Sequence, residues 1–361
     1  MDVLTGTILP FLVLLTILVF VHELGHYYVA RRCGVRVQAF SIGFGPELIG
    51  WHDRAGTRWK ISAIPLGGYV KMFGDSDATS SRADNSTSMT PEEVAVSFHH
   101  KSLRQRSAIV AAGPIANFIF AIFLLAVLYA FVGTPTYHTD SQVGEVIEGS
   151  AADAAGLQQG DLIRAIDRQS VSSFQDLRDI VSVNPGIELT VTVERDGLQI
   201  RLPVTPKPFV TESGTEIGQI GIRPPVTYET RGLFESAWLG VESTYRLTEQ
   251  TLLFLGRIIV GKESSDNIGG PIGIAMVSGE MAKRGVGDYI FFAALLSINL
   301  GLINLFPVPM LDGGHLAFYA AEAIRGRPLG ERAQEYGFRF GLVLILLLFG
   351  FATWNDVGRI F

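Results

Sequence analysis

The sequence holds a single cysteine, Cys33, among its 361 residues. That excludes an intramolecular disulfide framework and any zinc site built on cysteine, so a metal here has to be held by histidine and carboxylate groups. Charge is scarce as well. Asp, Glu, Lys and Arg make up 18% of the chain against 48% hydrophobic residues, and a net charge of -6 offers nothing to a nucleic acid backbone. This is the balance of a membrane protein that carries soluble parts.

The shortage of charge is uneven along the chain. No charged residue lies between Val3 and Val21, a length close to the ~20 residues that a bilayer span requires. No basic residue precedes this run and no small-x-small cleavage pattern follows it, so it is expected to stay in the protein rather than act as a signal peptide. Ser107 to Val132 and Tyr289 to Leu311 are uncharged over similar lengths, and Phe340 to Asn355 is shorter, about 24 Å as helix. Tilt cannot rescue so short a span, although snorkelling of Arg339 and Arg359 or local thinning of the bilayer can. The expected architecture is a polytopic α-helical membrane protein of about four transmembrane helices, over residues 3–30, 107–132, 288–312 and 338–356.

Orientation follows from the basic residues. Residues 31–106 carry eleven Lys and Arg, and none precedes the first span. The positive-inside rule therefore puts the N-terminus outside and the first loop in the cytoplasm. Residues 133 to about 288 then lie outside, and the third span returns inward to a loop bearing Arg325, Arg327 and Arg332.

The end of the first run reads Leu18-Val-Phe-Val-His-Glu-Leu-Gly-His26. Helical residues four apart share a face, so His22 and His26 can hold one metal ion with Glu23 beside it as a general base. The plain alternative is a polar stop at the membrane interface, but ionisable groups inside a span are costly and usually mark function. A soluble zinc-protease helix is a second alternative, and the uncharged flank speaks against it.

Residues 31–106 form a loop with β-type composition at Val35–Phe40 and Arg58–Ala63, followed by the apolar, glycine-bearing Ile64-Pro-Leu-Gly-Gly-Tyr-Val-Lys-Met72. Gly67 and Gly68 permit a close backbone approach. This is either an ordinary surface turn or a membrane-associated hairpin whose open edge holds a substrate as an added strand. Gly74 to Glu93 has the composition of a flexible loop. In the second span, Gly113-Pro114 and Asn117 suggest a kink or close helix packing.

Residues 133–208 read as an inserted α+β domain. A short strand at Val143–Glu148, helical spacing of Phe174, Leu177 and Val181, and alternating strands around Asp196-Gly197 compose it. Its Ser150-Ala-x-x-Ala-Ala-Gly-Leu-x-x-Gly-Asp-x-Ile163 pattern looks like a PDZ domain of the bacterial type. Such domains resemble binders of C-termini or extended peptides; a purely steric module is the alternative. Residues 209–287 are expected to be a linker and an amphipathic helix, Gly232 to Val260, lying at the outer interface. Its five charges, Glu235, Glu242, Arg246, Glu249 and Arg257, would be costly in the bilayer centre. A crossing there would also send the third span to the wrong side.

A catalytic zinc usually has three protein ligands and an open position. The third ligand should come from a segment ending on the same side as His22, and Asp312 in Asn304-Leu-Phe-Pro-Val-Pro-Met-Leu-Asp-Gly-Gly-His315 fits. A simple turn with Asp312 as helix cap competes, and His315 is a rival ligand. Pro307 and Pro309 interrupt the helix and free backbone groups that a substrate can pair with, with Asn304 or Asn299 supplying side-chain hydrogen bonds.

Taken in order, the His22-Glu-Leu-Gly-His26 helix, Gly67-Gly-Tyr-Val-Lys-Met72, Gly113-Pro-x-x-Asn117, the PDZ-like domain and Asn304-x-x-Pro-x-Pro-x-Leu-Asp-Gly-Gly314 resemble the bacterial site-2 proteases over nearly the whole chain. One PDZ-like domain stands here where one member of that family has two. The resemblance implies one catalytic Zn2+, Glu23 as base, the bacterial inner membrane, and regulated intramembrane cleavage of single-pass proteins such as anti-sigma factors after a first cut outside. Two readings from other classes are a metal transporter, for which the other spans offer few polar residues, and a proteolytically silent PDZ scaffold.

Overall fold

The computed structural model describes residues 4–74, 89–211, 214–264 and 269–360. Most of the expected Gly74–Glu93 loop lies outside them.

A π-helical turn, Leu4–Ile8, leads into helix α1, Leu9–Arg32, which carries Pro10 in its first turn, where no intrahelical partner for an N–H is lost. Strands β1, Val37–His52, and β2, Arg58–Met72, follow, then the short α2, Pro91–Val96, capped by Thr90 and Glu93 in a reciprocal box. Helix α3, Leu103–Phe131, contains Pro114. The inserted segment comprises β3, Thr134–Tyr137; β4, Glu145–Val146; α4, Ala151–Ala154; β5, Leu162–Ile166; β6, Gln169–Ser170; α5, Phe174–Ser182; β7, Leu189–Arg195; β8, Leu198–Val204; β9, Lys207–Val210; β10, Glu216–Gln219; β11, Ile222–Arg223; and β12, Val226–Glu229. The chain then forms α6, Leu233–Ile259; α7, Pro271–Arg284; α8, Val286–Leu305; α9, Asp312–Arg325; and α10, Glu331–Ile360.

Two compact units result. One combines residues 1–130 with 232–361, and the other is Phe131–Arg231. In the first, four helices are long and apolar enough to cross a membrane: Leu4–Arg32, Leu103–Phe131, Val286–Leu305 and Arg332–Arg359. The last is longer than its uncharged run. Its helix continues through Arg332 and Arg339, and Glu335 takes the Arg339 guanidinium at 2.7 Å one turn away.

Helices α1, α3 and α8 pack closely because small residues let their backbones approach. Gly25 of α1 lies against the Ala112 carbonyl of α3, and Gly301 of α8 lies against Pro114 and Phe118. Lipid gives no hydrophobic reward for helix contact, so such close packing is what holds spans together. The 27-residue α6 is not among the four span-length apolar helices among the described residues. The sequence expectation of a helix lying on the membrane surface omitted its docking: Ser236, Gly240 and Thr244 are buried at one-turn spacing, Gly240 sits 2.7 Å (ideal Cβ) from the Ile122 carbonyl of α3, and Tyr129 donates to Ser243 Oγ at 2.9 Å.

The loop after α1 is a sheet rather than a simple hairpin. Both long strands double back near Gly43–Gly45 and Pro65–Gly67, so that residues 39–42 pair with 58–61 on one side and with 68–71 on the other, while 47–52 pair with 58–62. Among the described residues, 68–72 thus form an outer edge. The sheet is fastened to α1 through Asp53, whose Oδ2 accepts from Tyr27 Oη at 2.8 Å and Trp59 Nε1 at 3.0 Å. Burial pushes the Asp53 carboxyl up, but the Trp59, Tyr27 and backbone hydrogen bonds outweigh it and hold it at about 2.

The inserted unit has its own core. A four-stranded sheet in the order β6-β5-β7-β8 packs Ile163, Ile166, Val191, Val193 and Val204 against Leu177 and Val181 of α5. The expected boundary at residue 208 is too early. Residues 209–231 add β10, β11 and β12, β11 pairs with β4, and Ile220 is buried in the core at 4% exposure. Short strands of mixed composition gave no alternation by which to extend the domain.

Candidate metal centre

His22 and His26 lie on the buried face of α1, one turn apart. Asp312 reaches them from the first turn of α9, and the loop before it explains how. Pro307 forces Phe306 into an extended conformation (φ -64°, ψ 143°), which ends α8. Met310 then takes a positive φ of 88°, rare for a residue with a side chain, and α9 begins. Gly313 packs onto the Leu305 and Phe306 carbonyls and Gly314 onto Val308 and Pro309, leaving no room for a Cβ at either. The N-cap position of α9 is Leu311 and Asp312 is the first residue of the helix, so the helix-cap alternative does not describe it.

The distances suit one ion. His22 Nε2 is 3.2 Å from His26 Nε2 and 3.1 Å from Asp312 Oδ2, and His26 Nε2 is 3.5 Å from Asp312 Oδ1. A tetrahedral ion with bonds of about 2.0–2.1 Å separates its ligand atoms by about 3.3 Å. Asp312 Oδ2 is buried and has no well-directed hydrogen bond, as expected of an oxygen turned toward a cation rather than a donor. The histidine nitrogens on the far side are engaged: His26 Nδ1 donates to the Ile109 carbonyl at 2.9 Å, and His22 Nδ1 is 3.1 Å from the Asn117 side-chain amide. The donor set of two imidazoles and one carboxylate fits a zinc ion.

A cavity of about 220 Å³ opens beside these groups. Glu23, His22, His26 and Asp312 share its lining with Gly68, Tyr69, Val70 and Met72 of the outer edge of the sheet and with Asn304. The Val70 backbone N–H faces the Glu23 carboxylate. Gly68 is pressed between Ser41 and α1, where a Cβ would lie 2.7 Å from the Ser41 carbonyl and 3.4 Å from Glu23 Cγ.

Of the residues expected at the site, His22, Glu23, His26, Asp312, Gly68 and Asn304 come together. Gly67, at φ 111°, lies behind, under the Phe44 ring that lines the cavity. Pro307 and Asn299 do not line the cavity; Asn299 Oδ1 accepts from Thr251 Oγ1 of α6 at 3.3 Å. His315 lines the cavity but is outside the metal-ligand cluster. Three residues escaped the sequence reading as contributors. Gly113 gives the imidazoles their space. Arg106 pairs with Glu322 at 2.6 Å and joins α3 to α9. The third, Asn117, was read with Gly113 and Pro114 only as a kink or close-packing feature.

A His-Glu-x-x-His helix meeting a distant aspartate among span-length apolar helices defines the class of membrane-embedded metallopeptidases. The chain belongs to peptidase family M50, whose model matches residues 10–348. It is 50% identical to a protein of Agrobacterium fabrum named as a zinc metalloprotease, over 99% of this chain and 97% of the relative. Metalloprotease MmpA of Caulobacter vibrioides is 38% identical over 96% of this chain and 94% of its own. The regulator of sigma-E protease RseP of Salmonella typhimurium is 34% identical over 97% and 98%, in an alignment spanning 451 positions, so that relative has a stretch without counterpart here. Among solved structures, the PDZ domain of an SdrC-like protein from Listeria monocytogenes resembles 25% of this chain over 90% of its own length, at 22% identity and a TM-score of 0.21.

Proposed function

We propose that this protein is a zinc-dependent endopeptidase that cuts single-pass membrane proteins within or beside the bilayer, as the second step of a regulated cleavage begun outside. The observation that carries this reading is the convergence of His22, His26 and Asp312 on the wall of a cavity that also holds Glu23. In it, His22, His26 and Asp312 hold the zinc. Bound there, zinc supplies a Lewis acid for the scissile carbonyl and lowers the pKa of a water to about 7. Glu23 takes the proton from the attacking water and delivers it to the leaving amine.

A helical substrate hides its carbonyls in its own hydrogen bonds, so it has to unwind before it can be cut. The outer edge at residues 68–72 supports the idea that the unwound stretch is held as an added strand, because that edge borders both Glu23 and the cavity. Asn304 is placed to hydrogen-bond the substrate backbone from the opposite wall. In this reading the N-terminus and the inserted PDZ-like domain face the periplasm, the catalytic groups lie near the cytoplasmic side of a bacterial inner membrane, and the domain screens substrates by terminus or size. The eleven basic residues of the first loop support that orientation, and the bacterial relatives support a bacterial membrane.

The test compares native and Glu23→Gln protein in membranes. The variant is expected to retain zinc, to lose cleavage, and to let truncated single-pass proteins accumulate. Cleavage by a zinc-loaded Glu23→Gln protein would remove Glu23 as the base.

A further inference from the structure

Asn117 is fully buried in α3, and its side chain touches the candidate metal centre from behind. The two histidines are supported by the same helix in two different ways. His26 has a main-chain acceptor, the Ile109 carbonyl, 2.9 Å from Nδ1. His22 has the Asn117 amide, 3.1 Å from Nδ1. A neutral imidazole carries one proton, so whichever nitrogen holds it cannot ligate a metal. For Nε2 of His22 to offer a lone pair toward His26 and Asp312, Nδ1 has to bear the proton and its neighbour has to accept it.

The amide can take two orientations related by a half-turn, and they have opposite effects. With Nδ2 toward the imidazole, the orientation in which the structure places it at 3.1 Å from Nδ1, Asn117 donates, the proton is driven onto Nε2, and Oδ1 is left buried without a partner. With Oδ1 toward the imidazole, Asn117 accepts from Nδ1–H, and Nε2 is free to ligate. The second arrangement agrees with Asp312 Oδ2, which lies 3.1 Å from His22 Nε2 yet receives no directed hydrogen bond from it.

We propose that Asn117 is a positioning residue for the metal centre: its side-chain oxygen accepts from His22 Nδ1–H and fixes the Nε2-ligating tautomer, as the Ile109 carbonyl does for His26. This rests on the reading of His22 as a zinc ligand. Three features of α3 then serve one purpose. Ile109 presents its carbonyl and Asn117 its side-chain amide to the two rings, and Gly113 between them clears the space in which the rings sit. The Asn117 main chain is itself held, since Ser297 Oγ of α8 donates to its carbonyl at 2.8 Å.

The test measures zinc affinity of the purified full chain by competition with a chelator, together with the unfolding temperature of the metal-free protein. Asn117→Leu keeps the shape and removes the acceptor, and is expected to weaken zinc binding by roughly 10–100-fold, the usual effect of losing such a partner. Asn117→Ala removes the acceptor without branching and provides a second variant where Leu disturbs folding. Asn117→Asp can only accept, and is expected to bind zinc close to the native affinity. Native zinc affinity in a folded Leu or Ala variant overturns the proposal. So does an Asp variant as weak as the Leu variant, because Asn117 would then be acting as a donor or merely as packing. His22→Ala separates the two levels: if it leaves zinc affinity unchanged, the ligand assignment itself fails, whereas a loss there with no loss in Asn117→Leu and Asn117→Ala counts against Asn117 alone.

Discussion

A Cβ added to Gly113 would stand 2.8 Å from His22 Nε2 and closer still to His26 Nε2, so α3 touches the metal-binding edge of both imidazoles at a position where only glycine fits. Gly113→Ala is therefore expected to push the rings apart and lower zinc content and cleavage together, by at least about tenfold, in line with what supporting contacts to metal ligands contribute. Metal analysis of the purified variant checks this. Native zinc content would show that the rings have room the distances deny them.

The Arg106–Glu322 pair ties the start of α3, which backs the histidines, to α9, which begins at Asp312. Its side chains are 15% and 17% exposed, and the guanidinium also lies 4.9 Å from the Tyr319 ring, which borders the cavity. Removing one partner strands a nearly buried charge, at a cost of about 3 kcal/mol. Glu322→Leu should lower the unfolding temperature and weaken zinc binding. The double variant Arg106→Met/Glu322→Leu should recover part of both, since no charge is then left alone. Equal loss in the single and double variants would show that the geometry of the ion pair, not its charge balance, is what matters.

The four span-length helices and the grouping of His22, His26 and Asp312 were legible because both rest on strong local signals: uncharged runs, a four-residue histidine spacing, and a proline-broken segment closing an uncharged run. Contacts between distant segments were not. Nothing in the run around Asn117 announces that it meets His22, and nothing near Asn299 announces Thr251 of α6. The end of the inserted domain was missed for a related reason. Ile220 is buried only because β11 folds back onto β4, a pairing with no local periodicity to betray it. Helix α10 starts at Glu331, ahead of the uncharged run Phe340 to Asn355, because a span is read from the absence of charge and a helix start is not.

The inserted unit carries a pH dependence of definite sign. Burial acts to raise the Asp161 carboxyl, but Arg195, with contacts of 2.7 and 2.8 Å, and the Gln158 N–H hold it below the usual carboxylate range. The Ser172 and Ser173 hydrogen bonds hold Asp176 at about 2. A carboxylate depressed in the folded state contributes stability above its unfolded pKa, about 3.9, and loses it as pH falls through the folded value. The stability of residues 131–231, expressed alone on the strength of their separate core, should thus be nearly flat above about pH 5 and weaken steadily toward pH 2. Asp161→Asn should flatten part of that decline. It should also cost about 2 kcal/mol near neutrality, less than a fully buried pair because Arg195 is 24% exposed.

The proposed substrate strand makes the sharpest demand on Gly68. Among the described residues, 68–72 pair on one side only, and they border Glu23 and the cavity, so an extended peptide adding there would lie directly beside the base. Gly68 brings that edge close to α1: a Cβ would meet the Ser41 carbonyl at 2.7 Å, Val19 Cγ1 at 3.2 Å and Glu23 Cγ at 3.4 Å. None of these atoms ligates the metal. Gly68→Ala should therefore lift the edge and displace Glu23 while zinc stays bound, lowering cleavage about tenfold or more, as a misplacement of about 1 Å can. A dual measurement decides it, zinc content against cleavage rate on one preparation. Loss of both in parallel would mean that the sheet supports the metal centre rather than the substrate. Loss of neither would mean that the strand edge is not where the peptide is held.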